Sequence, residues 1–164
     1  MRIEKLNRKF GRNAKNLINQ AKDKNLEGAI ACLETFYHSF NNKNLDIFKK
    51  IWLNHELIQL NNPLGGIMRG IIPIVELYDK IFNGQASVWV EFNDIVLYHS
   101  NEMVIFAGRE IGEFISDGQK IELQIRTTRL FGYSDEDKQW FQLHHHGSID
   151  NVDLLDRYQK GVRK

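Results

Sequence analysis

The sequence has little cysteine, little proline and almost no net charge. Of its 164 residues, one is a cysteine (Cys32) and two are prolines, and the formal net charge is +1 at pH 7. A single cysteine excludes an intramolecular disulfide framework and a cysteine zinc site. The near balance of acidic and basic residues gives no support to nucleic-acid binding by the whole chain.

Long apolar runs and low-complexity tracts are also missing from the sequence. No run approaches the ~20 apolar residues that cross a bilayer, so we expect no membrane partner. Residues 1–24 are basic but lack the apolar core of a signal peptide, and we expect a cytoplasmic location. The length suits one domain, in which 42% apolar and 26% charged residues are ordinary for a globular protein.

The first 25 residues differ in composition from the rest of the chain. Residues 1–24 hold eight lysines or arginines and two acidic residues, with a few scattered apolar positions. This composition is typical of a solvated arm or a helical extension, and a basic helix that docks on a membrane or nucleic acid is the alternative. We therefore divide the chain into a basic extension, 1–25, and one domain, 26–164.

The hydrophobic pattern of 26–164 predicts helices followed by strands. Helical spacing occurs over 26–42, 45–53 and the residues after Gly70, with a short strand at 55–60 between them. Alternating patterns over 88–98, 103–115, 120–132 and 139–149 predict four antiparallel strands joined by short turns. Asp150 can cap a last helix, 152–158. The order ααβαββββα is an α+β architecture with helices packed on an antiparallel sheet.

Residues 124–149 form the most informative stretch, because two strand-like runs flank a polar turn. Alternation along a strand gives each run two faces. One face is predicted to carry Ile125, Thr127, Arg129, Phe131, Phe141, Leu143 and His145. The other is predicted to carry Arg126, Thr128, Leu130, Trp140, His144 and His146.

This order of elements, with particular residues in it, resembles the nuclear transport factor 2-like superfamily. The similarity is strongest to SnoaL-like proteins and to the association domain of calcium/calmodulin-dependent protein kinase II. It is carried by Phe40-Asn-Asn-Lys-Asn-Leu-Asp46, Asn62-Pro-Leu-Gly-Gly66, Thr128-Arg-Leu-Phe131 and Trp140-Phe-Gln-Leu-His-His-His-Gly-Ser148. The resemblance implies a cystatin-like cone, in which a strongly curved sheet wraps around helices and encloses a pocket.

The resemblance also implies which side chains face the pocket. It places Thr127, Arg129 and Phe131 inward on one strand, Leu143, His145 and Gly147 on the next, and Arg109 on the strand before. Two inward arginines could grip one carboxylate, or they could be neutralised internally by Glu34 or Glu113. The candidate ligand-binding residues are Trp52, Asn62, Tyr78, Arg109, Thr127, Arg129, Phe131 and His145.

Enzyme motifs of the superfamily are not reproduced at the matching positions. The base, tyrosine and acid of ketosteroid isomerases fall on Asn62, Phe36 and Thr127, and none of the three can perform its role. Carboxylates for an epoxide-hydrolase-like arrangement cannot be placed from the sequence.

Three consecutive histidines, residues 144–146, raise the question of a metal site. Two histidines at i and i+2 share a strand face and can ligate zinc, but a third ligand is not indicated. Structural histidines are the better interpretation, and we expect neither a metal nor a cofactor.

Taken together, the sequence predicts a small-molecule-binding or self-association domain with an internal pocket for a small organic acid. An isomerase, cyclase or hydrolase acting on a small hydrophobic substrate is the alternative. The expected partner is a second copy of the chain, because the outward row of large side chains on the last two strands is typical of a homodimer interface.

Overall fold

Four helices and one seven-stranded sheet make up the computed structural model, which describes residues 1–163. The strands are β1 (Arg2–Leu6), β2 (Gln59–Asn61), β3 (Ile67–Arg69), β4 (Ser87–His99), β5 (Met103–Ser116), β6 (Gln119–Ser134) and β7 (Gln139–Ser148). The helices are α1 (Leu26–Asn41), α2 (Leu45–Lys49), α3 (Ile71–Asn83) and α4 (Val152–Val162), with a short 3-10 helix at Gln20–Lys22. The predicted α+β class is confirmed, although Lys164 of the predicted domain lies outside the described residues.

The sheet has the order β1-β4-β5-β6-β7-β2-β3. Every neighbouring pair is antiparallel except β2 and β7, which run parallel. The long strands β4 to β7 follow each other along the chain through short turns, as the alternating pattern predicts. Within residues 1–163, no helix is long and apolar enough to cross a membrane.

Helix α1 supplies the centre of the core because almost its whole length is buried. Asn25 caps it by accepting a hydrogen bond from the Gly28 backbone N–H. Its aromatic residues meet those of α2 and α3 in one cluster, and the Phe48 and Tyr78 rings lie 4.1 Å apart. The cluster comprises Phe36, Phe40, Phe48, Tyr78 and Phe82.

The β6–β7 hairpin contains a register shift that the sequence pattern does not reveal. Leu130 pairs with His144, but the next residue, Phe131, pairs with Gln142, so that β7 holds an extra residue, Leu143. Such a bulge reverses the faces beyond it. Gln142 and Trp140 are therefore buried, whereas Phe141 and Leu143 are only half-buried. The predicted outward position of Trp140 and the inward position of Leu143 are wrong for this reason.

Two further strands lie where none is predicted. Residues 1–24, expected to form a solvated arm or a helix, begin with β1, which pairs with the edge of β4 from Leu6↔Ile95 to Arg2↔His99. The chain after the Asn62–Gly66 turn returns as β3. At the other end of the chain, Asn151 and not Asp150 caps α4, by accepting a hydrogen bond from the Leu154 N–H.

Candidate functional site

The inner face of the sheet and the helices α1, α3 and α4 enclose a cavity of about 620 Å³. This volume lies in the range that small-molecule sites occupy. Apolar side chains form most of its wall, among them Phe36, Phe40, Leu77, Val90, Phe114 and Ile125. Its wall also holds the charged side chains Lys80 and Asp117, and a separate set of polar groups lies around one buried arginine on β6.

Arg129 lies at the floor of the cavity with 1% of its surface exposed. Its Nη2 donates to Glu110 Oε1 at 2.8 Å, its Nε donates to Tyr37 Oη at 2.9 Å, and its Nη1 donates to Gln142 Oε1 at 3.0 Å. The guanidinium also lies over the Phe36 ring, 3.6 Å from its centroid. Burial alone would lower the pKa of Arg129, but Tyr37 and Glu110 raise it overall, so the guanidinium stays charged.

Glu110 on β5 is the counter-ion of Arg129. It is 4% exposed, and its Oε1 accepts a second hydrogen bond from Tyr37 Oη at 2.5 Å. Its Oε2 has no hydrogen-bond partner among residues 1–163, and Glu110 lines the cavity. The floor of the cavity therefore has no net charge and one acceptor oxygen that is available to a ligand.

His145 lies beside this pair, directly opposite Arg129 in the β6–β7 ladder. The side chain is buried and lines the cavity, and neither ring nitrogen has a hydrogen-bond partner within the described part of the chain. Burial, and then the charge of Arg129, lowers the pKa of His145 well below its ordinary value. The ring is therefore neutral at pH 7 and offers one N–H donor and one acceptor.

Of the predicted site residues, four line the cavity: Asn62, Tyr78, Arg129 and His145. Thr127, Phe131 and Trp52 are buried but do not line it, and Phe131 packs edge-on against Phe106. Two of these residues, Thr127 through Oγ1 and Trp52 through Nε1, have buried polar atoms without a partner among residues 1–163.

Arg109 is on the other face of the sheet from Arg129. Successive residues of a strand face opposite ways, and the neighbouring Glu110 is the one that faces the cavity. The two-arginine clamp expected from the resemblance is therefore not formed. Arg129 is instead neutralised internally, as the alternative proposed, although by Glu110 and not by Glu34 or Glu113.

Sequence reasoning missed Glu110, Tyr37 and Gln142. For Glu110 the sequence does hold a signal. Phe106 and Phe114 lie four residues before and after it on β5, so alternation along the strand places Glu110 on the same buried face. For Tyr37 none is evident, because almost every residue around it on α1 is buried. Gln142 is brought inward only by the bulge.

The other two histidines of 144–146 have ordinary structural roles. The His144 Nδ1–H donates to the Gln59 carbonyl at 3.0 Å, and Asn61 Nδ2 donates to His146 Nδ1 at 3.2 Å. Burial lowers the pKa of His144. Within the described residues, no three metal-ligating side chains come together.

The curved sheet, the packed helices and the cavity between them define a cystatin-like, nuclear transport factor 2-like domain. The family model described as the SnoaL-like domain matches residues 30–151, more than half of the chain. The chain therefore belongs to the SnoaL-like domain family. No protein with a curated description matches the sequence.

Solved structures of low sequence identity share this fold. An uncharacterised cystatin-like protein from Caulobacter vibrioides is 18% identical over 84% of this chain and 98% of its own, with a TM-score of 0.63. The association domain of CaMKII from C. elegans is 14% identical over 75% of this chain and 94% of its own, with a TM-score of 0.57. An LEH-like epoxide hydrolase from M. tuberculosis is 15% identical over 84% and 93%, with a TM-score of 0.60.

The lowered pKa of His145 predicts a specific dependence of stability on pH. The unfolded chain takes up a proton on this side chain near pH 6.5, whereas the folded protein does so only at lower pH. The contribution of neutral His145 is therefore complete above about pH 6.5 and is lost as the pH falls, by at most about 1.4 kcal/mol per pH unit.

We expect His145→Phe, which keeps a ring and removes both unpartnered nitrogens, to abolish this part of the pH dependence. Urea unfolding at about pH 7.5 and about pH 5.5 measures it. The wild type should lose more stability than the variant on acidification. Equal losses in the two proteins would contradict the buried neutral state of His145.

Proposed function

We propose that the cavity binds a small, mainly apolar and uncharged molecule whose polar end lies against Glu110 and His145. The observation that carries this proposal is the hydrogen-bonded pair of Arg129 and Glu110 at the floor of an apolar cavity. The volume and the mainly apolar wall of the cavity support a small apolar ligand. The pairing of Arg129 with Glu110 supports a ligand without charge.

The same pair argues against the small organic acid that the two-arginine clamp would have bound. A carboxylate that approached Arg129 would meet the Glu110 carboxylate, which already occupies Nη2 at 2.8 Å. The site would then hold two negative charges and one positive charge at low dielectric, which is unfavourable. Arg109 lies on the opposite face, and the charge of Lys80 on the cavity wall is offset by that of Asp117, so the wall as a whole adds no net positive charge.

A carboxamide or an alcohol complements the available groups. Glu110 Oε2 can accept a hydrogen bond from an N–H or O–H of the ligand, and the neutral His145 ring beside it adds no charge to the site. The aromatic and aliphatic wall then surrounds the rest of the molecule, and its burial provides most of the affinity.

Two ligands of the same shape test the proposal: naphthamide, which is neutral, and naphthoate, which is an anion at pH 7. We expect naphthamide to bind about tenfold or more tightly, because naphthoate meets Glu110. In Glu110→Gln the shape is kept but the negative charge is lost, so the preference should reverse towards naphthoate. Isothermal titration calorimetry at a temperature well below the unfolding transition measures both affinities.

Arg109→Gln is the matched control, because it removes an arginine from the same sheet but from its other face. This change should leave both affinities unaltered. Tighter binding of naphthoate than of naphthamide by the wild type, or weaker binding in Arg109→Gln, would overturn the proposal in favour of an acid-binding site.

An enzyme of the isomerase, cyclase or hydrolase type is the second candidate, and Glu110 is the observation that favours it. A carboxylate oxygen open to an apolar cavity can accept a proton from a bound substrate or water. Among the solved structures of similar fold is an LEH-like epoxide hydrolase. Conversion of a bound molecule that is lost in Glu110→Gln would favour this candidate over pure binding.

We further propose that two copies of the chain associate through the outer face of the sheet. Tyr98, Ile105, Leu130 and His144 form one row across β4 to β7 on this face, and all four are half-buried. Val96, Ala107 and Thr128 form the next row. Such a mixed apolar surface on a monomer favours an interface, and a similar structure is an association domain by its own description.

Light scattering at micromolar concentration tests the association. We expect a dimer for the wild type and a monomer for Leu130→Arg, whose charge would lie in the middle of the interface. Ile72→Arg, which changes an isoleucine that is 70% exposed on α3, should remain dimeric. A monomeric wild type, or dissociation by both substitutions alike, would exclude the proposed interface.

A further inference from the structure

The basic N-terminal arm, residues 2–24, lies before the SnoaL-like match but is joined to the rest of the fold at several points. Beyond β1, the Phe10 and Phe92 backbones exchange two hydrogen bonds of 3.0 and 2.8 Å. The Phe10 side chain is buried, with 3% of its surface exposed. Further along, the Arg12 guanidinium lies 4.1 Å from the centroid of the Trp89 ring.

The arm also binds the turn of α1 that carries Tyr37. The Leu17 N–H donates to Thr35 Oγ1 at 2.9 Å, and the Ala14 carbonyl accepts a hydrogen bond from the His38 Nδ1–H at 3.0 Å. These two contacts lie on either side of Tyr37 along the helix. The arm therefore constrains the helix at the position from which Tyr37 projects.

The Tyr37 ring packs against two phenylalanines, one from the arm and one from the sheet. It stacks on Phe10 at a centroid distance of 6.3 Å and 15°, and on Phe92 at 5.6 Å and 18°. Both stacks fix the plane of the phenol ring, and one of them is supplied by the arm alone.

The Tyr37 hydroxyl is the group that joins this stack to the floor of the cavity. It donates to Glu110 Oε1 and accepts from Arg129 Nε. Since hydrogen bonds weaken steeply when their distance or angle changes, a displaced phenol ring would loosen its bonds to both members of the ion pair. The Glu110 carboxylate and the Arg129 guanidinium would then no longer be fixed in the orientation that presents Glu110 Oε2 to a ligand.

From this chain of contacts we infer that Phe10 is a positioning residue for the cavity floor, so that the N-terminal arm is part of the ligand site. The arm acts through Tyr37 on the Glu110–Arg129 pair and touches no ligand itself. Its effect on the ion pair exists without a ligand, whereas its effect on affinity rests on the function proposed above.

The first measurement uses the ligand-free protein and the NMR signal of the Arg129 Nε–H. In the wild type this proton is donated to Tyr37 Oη, so we expect it to exchange slowly with solvent. We expect Phe10→Ala to speed its exchange tenfold or more relative to the backbone amides of β6, and Phe10→Leu, which retains bulk but not the flat ring, to have a smaller effect. If Phe10→Ala does not fold, the exchange rate of the Arg129 Nε–H in Phe10→Leu is compared with that in the wild type, and faster exchange in the variant supports the inference.

Ile95→Ala is the matched control, because Ile95 is fully buried and lies opposite Leu6 where the arm pairs with β4. If the Phe10 variants acted only by weakening the arm or the core, their Arg129 Nε–H exchange would match that of Ile95→Ala. Unchanged exchange of the Arg129 Nε–H in the Phe10 variants, or equal acceleration in Ile95→Ala, would overturn the inference.

The second measurement is the affinity for naphthamide. Phe10→Ala should weaken binding about tenfold, Phe10→Leu less, and Ile95→Ala should leave it unchanged. If naphthamide fails to bind the wild type, the proposed ligand class fails, and the exchange of the Arg129 Nε–H still decides whether Phe10 positions the pair. If naphthamide binds and all variants bind equally, the arm is not part of the site.

Discussion

A positive charge buried beneath an apolar cavity is the constraint on which the arrangement of the site depends. An uncompensated guanidinium in this environment would cost many kcal/mol, so the fold must surround Arg129 with acceptors and an opposite charge. Three elements do so: β5 contributes Glu110, α1 contributes Tyr37, and β7 contributes Gln142. Because the Tyr37 hydroxyl bonds to both members of the ion pair, these hydrogen bonds connect helix α1 to the sheet.

This compensation also determines what the cavity can accept. With Arg129 already paired, the groups beside it are one carboxylate oxygen and a neutral histidine, and the rest of the wall is apolar apart from a few hydroxyl and amide groups and the oppositely charged Lys80 and Asp117. An arginine in a cavity is often taken as an anion site, but here its hydrogen bonds are directed at the protein. The charge of the whole site, rather than of one residue, indicates the class of ligand.

The sequence predicts the architecture well because the four long strands alternate clearly and α1 has a wide apolar stripe. It predicts the site less well, for two physical reasons. The bulge at Leu143 reverses the faces of β7 and brings Gln142 and Trp140 inward, and a pattern of alternation cannot show an inserted residue. The resemblance placed Arg109 inward, although the alternation of Phe106 and Phe114 on the same strand favours Glu110.

The N-terminal arm could not be predicted from local pattern for a different reason. Strand β1 is short, charged and exposed on most of its residues, so its conformation comes from pairing with β4 and not from its own composition. Phe10 resembles any isolated apolar residue of a basic segment until the fold brings it to Tyr37. Contacts between residues so distant in sequence leave no periodic signal.

A double-mutant cycle on the buried pair measures whether Arg129 and Glu110 neutralise each other. Urea unfolding would give the free energies of the wild type, Glu110→Gln, Arg129→Met and the double variant. If the two side chains neutralise each other, each single change leaves an unpaired or poorly paired group and costs about 3–5 kcal/mol, and the double variant costs much less than the sum. Costs that simply add would show that Arg129 and Glu110 are independent and would contradict the account.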